Sequence, residues 1–222
     1  MSSAEHGKAI TIAFCTCLLV IAWITSLDSS TTPNYAIPAA SNFSRHSMIS
    51  TVNIATLIIG SVVLPILAKF SDITSRPICF AVSLLFYTIG TIVVASSTSI
   101  SSYVAGSVLL AVGSNGISFL KDIIVADLTD LKWRGLVNGI MTSPYLITVW
   151  FAGLIVDAVL KTNWRWGYGM FAIIMPVTVV PAITVLYFFE NKAQKFVPKV
   201  EKTKISVRKI VWDAAIEIDA SA

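Results

Sequence analysis

The chain has 222 residues, of which 55% are hydrophobic and only 13% are charged, and its formal net charge is +4. Soluble globular domains carry about 25% charged residues, so this composition excludes an ordinary soluble surface. The apolar residues fall in long blocks and the mean hydropathy is +0.79, which predicts an all-α membrane protein with lipid as its solvent. Basic residues lie beside the apolar blocks and in the tail, a pattern typical of membrane orientation and not of nucleic-acid binding.

Six transmembrane helices are predicted, because six apolar stretches approach the roughly 20 residues needed to cross a bilayer. They cover residues 9–27 (with helix continuing toward residue 35), 47–68, 78–95, 101–126, 136–160 and 168–189. This divides the chain into a short terminus at 1–8, a six-span bundle at 9–189 and a basic tail at 190–222. Most Lys and Arg residues then lie on the side of the two termini, so both termini are predicted to be cytoplasmic.

Small residues indicate where helices approach each other closely. Gly106, Gly113 and Gly116 occur in the fourth predicted span, and Gly135 and Gly139 form a G-x-x-x-G motif at the start of the fifth. Both groups favour tight helix packing. The sequence has only three cysteines and two histidines and no metal-ligand cluster, so we expect no disulfide framework, no metal site and no cofactor.

The segment AKFSDITSRP, residues 68–77, joins the second and third predicted spans. It resembles the signature loop of the major facilitator superfamily, with Asp72 at the acidic position and Arg76 at the basic one. Ala68, Ser75 and Pro77 depart from the family pattern. A carboxylate in such a turn can pair with a basic group or a helix N-terminus.

Two further charges bracket the turn after the fourth predicted span. Asp127 and Arg134, together with Asp72 and Arg76, are predicted to form a cytoplasmic charge network that acts as a gate. An ordinary polar loop is the alternative for the segment 68–77. Exposed ion pairs contribute little stability by themselves, so the value of such a network would lie in favouring one conformation.

Three longer segments make the resemblance more specific. They are SLDSSTTPNYAIPAASNFSRHS at 26–47, VADLTDLKWRGL at 125–136 and NWRWGYGMFAIIMP at 163–176. Together they resemble the fungal siderophore–iron transporter family, which includes relatives that exchange glutathione for protons. The resemblance covers residues 18–219 and implies a six-helix bundle equivalent to the amino-terminal half of a carrier, ending before an expected seventh span.

Several polar residues of the first and fourth spans are candidates for a substrate or proton path. Asp28 lies near the outer end of the first span, where a carboxylate is costly unless it faces water or a partner; an interfacial cap is the alternative. Asn34 and Tyr35 could line the same path, and Asn115 is a further candidate. Lys121 and Asp122 lie late in the fourth span, where Lys121 either contacts substrate, pairs locally or extends to the inner surface.

Trp164, Arg165 and Trp166 are predicted to lie in an outer loop. Aromatic belts are common at membrane boundaries, so anchoring is one interpretation, and a loop that closes over a large ligand is the other.

The resemblance implies proton-coupled transport of ferric siderophores by alternating access, with iron carried inside its chelate and no enzymatic chemistry. The alternatives are glutathione exchange or drug antiport on the same scaffold. An alternative of another class is a non-transporting remnant, or a membrane partner that assembles with a second half or with its own copies. The partners expected are membrane lipid and a ferric siderophore, and the expected location is the plasma membrane or an endosomal or vesicular membrane.

Overall fold

The structure, a computed structural model, describes the backbone of residues 2–42 and 48–194, and the side chains of residues 14–39, 50, 52–71, 74–127 and 129–188. These residues form seven helices: α1 (Ser2–Asn42), α2 (Met48–Ile73), α3 (Arg76–Ser96), α4 (Ile100–Leu128), α5 (Arg134–Thr142), α6 (Pro144–Thr162) and α7 (Trp164–Gln194). Most of the predicted tail, residues 195–222, lies outside the described residues.

Six stretches of these helices are long and apolar enough to cross a membrane, which confirms the predicted six-span, all-helical fold. They are Phe14–Ala39, Val52–Ser71, Arg76–Ser96, Ile100–Asp127, Arg134–Thr162 and Trp164–Phe188. The first stretch continues past the predicted end at residue 27 and includes Asp28, Pro33 and Pro38. The chain is therefore a multi-pass membrane protein.

The fifth span is built from two helices, α5 and α6, that meet at Ser143 and Pro144. Proline has no backbone N–H and its ring collides with the preceding turn, so a helix bends or breaks there. The N–H of Ser143 still reaches the carbonyl oxygens of Gly139 and Ile140, at 3.0 and 3.3 Å. The break is consequently a local kink within one membrane crossing.

Helices α3 and α4 make the closest approach in the bundle, because α4 places glycines where α3 passes. A Cβ atom on Gly113 would overlap the backbone of Tyr87, and one on Gly116 would overlap the side chain of Ser83. The packing role predicted for the α4 glycines is thus met. Gly135 and Gly139 differ, since a Cβ atom on either would meet no atom within 4 Å.

The core lies between α1, α3, α4 and α7, and α6 is tied to α1 by a buried hydrogen bond between the hydroxyls of Ser26 and Thr148 at 2.6 Å. The span of α2 and the span formed by α5 and α6 are the least buried, with 11% and 17% of their length buried inside the structure. We call the two ends of the bundle the Arg76 end, where α2 ends and α3 begins, and the Trp164 end, where α6 ends and α7 begins.

Candidate functional site

A cavity of about 280 Å³ opens between α1, α2, α4 and α7. Its wall is mostly apolar, with a small number of hydroxyl and amide groups, which is the usual composition of a small-molecule site. The polar side chains in its wall are Thr32 of α1, Asn53 and Thr56 of α2, Tyr103, Ser107 and Ser114 of α4, and Tyr168 of α7.

Asp28 is buried in the middle of α1, with 8% of its surface exposed, and it does not line the cavity. The hydroxyl of Thr32, one helical turn later, donates a hydrogen bond to its Oδ1 atom. Tyr87 of α3 approaches the carboxylate closely enough to interact electrostatically, although its buried hydroxyl makes no well-aligned hydrogen bond among the described residues. No lysine or arginine in the described part of the chain forms an ion pair with Asp28.

Four aromatic side chains pack together between Asp28 and the Trp164 end. The hydroxyls of Tyr103 and Tyr168 are 3.1 Å apart, and Tyr35 meets Tyr168 edge to face with ring centroids 5.9 Å apart. Trp164 meets both Tyr103 and Tyr168 edge to face at 6.2 Å. Aromatic rings prefer such edge-to-face arrangements. The cluster therefore joins α1, α4 and α7 beside the cavity, whose wall includes Tyr103 and Tyr168.

Asn34 and Asn115, two of the candidate path residues, are not part of the cavity wall. The amide of Asn34 is exposed and donates to the carbonyl oxygen of Ser30 at 2.9 Å. The amide of Asn115 donates to the carbonyl oxygen of Ala111 at 2.7 Å and packs against Gly60, where α2 crosses α4. Each side-chain amide therefore donates a hydrogen bond to a backbone carbonyl oxygen of its own helix.

Lys121 is buried, with 7% exposed, and its ammonium lies 3.6 Å from the carboxylate of Asp122. Local pairing, one of the alternatives given for Lys121, is therefore present, and the side chain does not extend to the surface. Lys121 follows Ser107 and Ser114 at intervals of seven residues, about two helical turns each. It therefore lies on the cavity-facing side of α4, closer to the Arg76 end.

Two members of the predicted charge network meet directly. Arg76, at the start of α3, forms an ion pair with Asp127, near the end of α4. Arg134 is exposed at the first position of α5, and no carboxylate of the described side chains lies within ion-pair distance of it. The side chain of Asp72 lies outside the described residues.

Trp164, Arg165 and Trp166 form the first turn of α7 and not a loop, which differs from the sequence prediction. Trp164 is buried in the aromatic cluster, whereas Trp166 is 61% exposed. Arg165 donates from Nη2 to the carbonyl oxygen of Ser97 at 2.7 Å, and its guanidinium lies 5.4 Å from the Trp164 ring centroid. The helix begins earlier than predicted because this turn is held to α3.

Sequence reasoning missed Thr32, Tyr87, Tyr103 and Tyr168. Thr32 could have been identified from the sequence, since it follows Asp28 by four residues and so lies on the same helix face. Tyr87 and Tyr103 are each the single tyrosine of their helix, and only the tertiary packing brings them near the carboxylate and the cavity.

Comparison with known proteins identifies a family and several relatives of this chain. A family model described as Major Facilitator Superfamily matches residues 12–216. The chain is 47% identical over 97% of its length to the low affinity heme transporter str3 of Schizosaccharomyces pombe. It is 42% identical over 87% of its length to a siderophore transporter of Zymoseptoria tritici, and 37% identical over 88% to the siderophore iron transporter mirC of Emericella nidulans. It spans 36%, 30% and 34% of those relatives, respectively.

Proposed function

Because this chain belongs to the major facilitator superfamily, we propose that it forms one bundle of a carrier that moves ferric siderophores together with protons. The carrier would work by alternating access, in which two bundles rock about a central site. The chain's own part would be to supply one wall of the cargo site and the proton-binding group. No covalent chemistry is proposed, and the iron would remain within its chelate.

The observation that carries this proposal is the connection between Asp28 and the cavity. A buried carboxylate without a described cationic partner is expensive inside a membrane and is retained where a proton or an ion is handled. Thr32 bonds this carboxylate and also lines the cavity, so a change in the charge of Asp28 would be felt at the cavity wall. Asp28 is accordingly assigned the proton-binding role.

The cavity supports a shared cargo site. Ligand pockets usually enclose about 300–1,000 Å³, and the cavity here is about 280 Å³. A ferric siderophore is a large chelate, so more wall would be required than this bundle offers. The relatives are roughly three times as long as the matched segment, which leaves room for a second bundle in a complete carrier.

Two charged groups toward the Arg76 end receive separate roles. Lys121, buried on the cavity-facing side of α4, would attract anionic cargo. The Arg76–Asp127 pair would hold α3 and α4 together in one conformation and release them in the other. In this proposal the Arg76 end faces the cytoplasmic side of a plasma or vesicular membrane, in keeping with the basic residues near it.

Heme is the second candidate cargo. One relative, 47% identical over nearly the whole chain, is named a low affinity heme transporter. The rings of Tyr103 and Tyr168 line the cavity, and aromatic faces of this kind suit a flat macrocycle. Glutathione is a further cargo that the same uptake assay would separate from these two.

The test is uptake in cells that lack their own ferric-chelate and heme uptake. The chain is expressed alone and together with the remaining bundle of a relative, and labelled ferric siderophore, heme and glutathione are compared. Asp28→Asn should abolish coupled uptake. Asp157→Asn is the matched control, since Asp157 is a 72% exposed carboxylate on α6 paired with Lys161.

Siderophore uptake that is retained by Asp157→Asn and lost in Asp28→Asn would support the proposal. Uptake of heme alone would move the cargo assignment to the second candidate. Absence of any uptake in both expression arms, with correctly inserted protein, would refute transport and favour a non-transporting membrane partner.

A further inference from the structure

Asp28 lies behind the cavity wall and not in it. The carboxylate is buried among α1, α3 and α7, whereas the cavity is bounded by α1, α2, α4 and α7. Any proton that reaches Asp28 from the cavity must therefore pass through a group that belongs to both places.

Three tyrosines from three helices lie near enough to the carboxylate to interact with its charge. They are Tyr35 of α1, Tyr87 of α3 and Tyr168 of α7. No basic side chain of the described residues forms an ion pair with Asp28. The buried Tyr87 hydroxyl has no well-aligned hydrogen bond to the described residues, so it is available to donate when the carboxylate is ionised.

Thr32 joins the two places through a hydrogen bond. Its hydroxyl donates to Asp28 Oδ1, and the same residue forms part of the cavity wall. Tyr168 also lines the cavity, but its hydroxyl pairs with that of Tyr103. Thr25 and Thr31, which also lie on α1, instead donate to backbone carbonyl oxygens of their own helix at 2.8 and 2.9 Å. All three residues are threonines of α1, so it is the position of Thr32 that allows its hydroxyl to bond Asp28.

We propose that Thr32 is a proton-relay residue between the cavity and Asp28, an inference that rests on the proton-binding role proposed above. A hydronium ion in the cavity gives a proton to the Thr32 oxygen, and the hydroxyl passes its original proton to Asp28 Oδ1. The cavity is left with water, the hydroxyl is regenerated, and Asp28 becomes a neutral carboxylic acid. The reverse sequence returns the proton.

The relay makes Thr32 a positioning residue whose hydroxyl sets how fast Asp28 exchanges its proton. A buried carboxyl without a relay exchanges only when the protein opens. A positioned proton-transfer group contributes about 10²–10⁴-fold to a rate, so loss of the hydroxyl should slow exchange by about a hundredfold or more.

The experiment uses the 222-residue chain in lipid vesicles, without cargo. Infrared difference spectra follow the carboxylic acid C=O band after transfer into heavy water, and the band that disappears in Asp28→Asn identifies Asp28. Thr32→Val removes the hydroxyl and keeps the shape, whereas Thr32→Ser keeps the hydroxyl. Thr25→Val is the control for removing a buried hydroxyl from α1 that does not bond Asp28.

We expect slow exchange in Thr32→Val and near wild-type exchange in Thr32→Ser and Thr25→Val. Wild-type exchange in Thr32→Val would overturn the relay, as would equal slowing in Thr25→Val. Should Thr32→Val not insert, Thr32→Ala provides the same comparison. Exchange is measured without transport, so a fast-exchanging Asp28 in Thr32→Val with normal siderophore uptake refutes only the relay, whereas absent uptake with the expected exchange refutes only the carrier.

Discussion

Arg165 should be worth far more to stability than the neighbouring Lys161, although both are basic residues near the Trp164 end. The perturbation is Arg165→Met, which keeps a flexible apolar stem and removes the guanidinium. Lys161→Met is the matched control, because its ammonium forms an exposed i,i+4 pair with Asp157 at 2.9 Å, with both side chains more than 70% exposed.

The expected magnitude follows from what each group contacts. A hydrogen bond from a charged donor to a carbonyl contributes about 1.5–3 kcal/mol, and the Arg165 bond to Ser97 is 2.7 Å long and partly buried. Ser97 caps the C-terminus of α3, so the cation also meets the negative end of a helix, worth about 0.3–1 kcal/mol. Stacking over Trp164 adds about 0.5–1 kcal/mol.

These contributions are not additive, and hydrogen bonds within membrane proteins average nearer 0.6 kcal/mol. We therefore expect Arg165→Met to lower the free energy of unfolding by about 2 kcal/mol, and Lys161→Met by about 0.3–0.5 kcal/mol at most. The assay is unfolding of the purified chain in mixed micelles by sodium dodecyl sulfate, followed by tryptophan fluorescence. Equal losses of stability in the two variants would show that the hydrogen bond from Arg165 to Ser97 does not stabilise the packing of α7 on α3.

Three further outcomes are expected, the first two in the same unfolding assay and the third in the uptake assay. Gly113→Leu should destabilise the chain by about 1–3 kcal/mol or prevent insertion, because its side chain meets backbone of α3, and a tolerated leucine would contradict the close crossing. Tyr103→Phe and Tyr168→Phe should each cost about 1 kcal/mol, and the double variant should cost little more than either, whereas simple addition would deny their hydroxyl bond. Arg76→Asp and Asp127→Arg should each impair siderophore uptake and together restore part of it, whereas no restoration would refute the pair as a gate.

The fold was largely predictable, because a bilayer demands uninterrupted apolar helices and each of the six appears as a block in the sequence. The errors concern helix ends and interruptions. The span predicted at 168–189 begins at Trp164, because Arg165 donates a hydrogen bond to Ser97 at the end of α3. These two residues are 68 positions apart in the sequence. The span at 136–160 is divided at Pro144, whose consequence as a kink depends on whether neighbouring helices compensate for it.

The candidate site was predictable only in part. Asp28 stood out because a carboxylate within an apolar span is unusual. Asn34 and Asn115 looked equivalent to it in the sequence, yet their amides bond their own helices, because an asparagine in a helix can return to the preceding turn. Tyr103 and Tyr168 were indistinguishable from ordinary apolar or interfacial aromatics, since their hydroxyl pair depends on how α4 and α7 cross.

The first helix also explains why packing and chemistry cannot be separated at this site. One seam of α1, spaced alternately by four and three residues, faces the bundle throughout. It is apolar at Phe14, Leu18 and Ile21 and polar at Thr25, Asp28 and Thr32, and it continues through Tyr35 to Ala39. This spacing keeps residues on one helix face. Asp28 therefore occupies a core position, and Asp28→Ala would leave a cavity as well as remove a charge. Asp28→Asn preserves the volume and the acceptor for Thr32, so only that substitution isolates the proton.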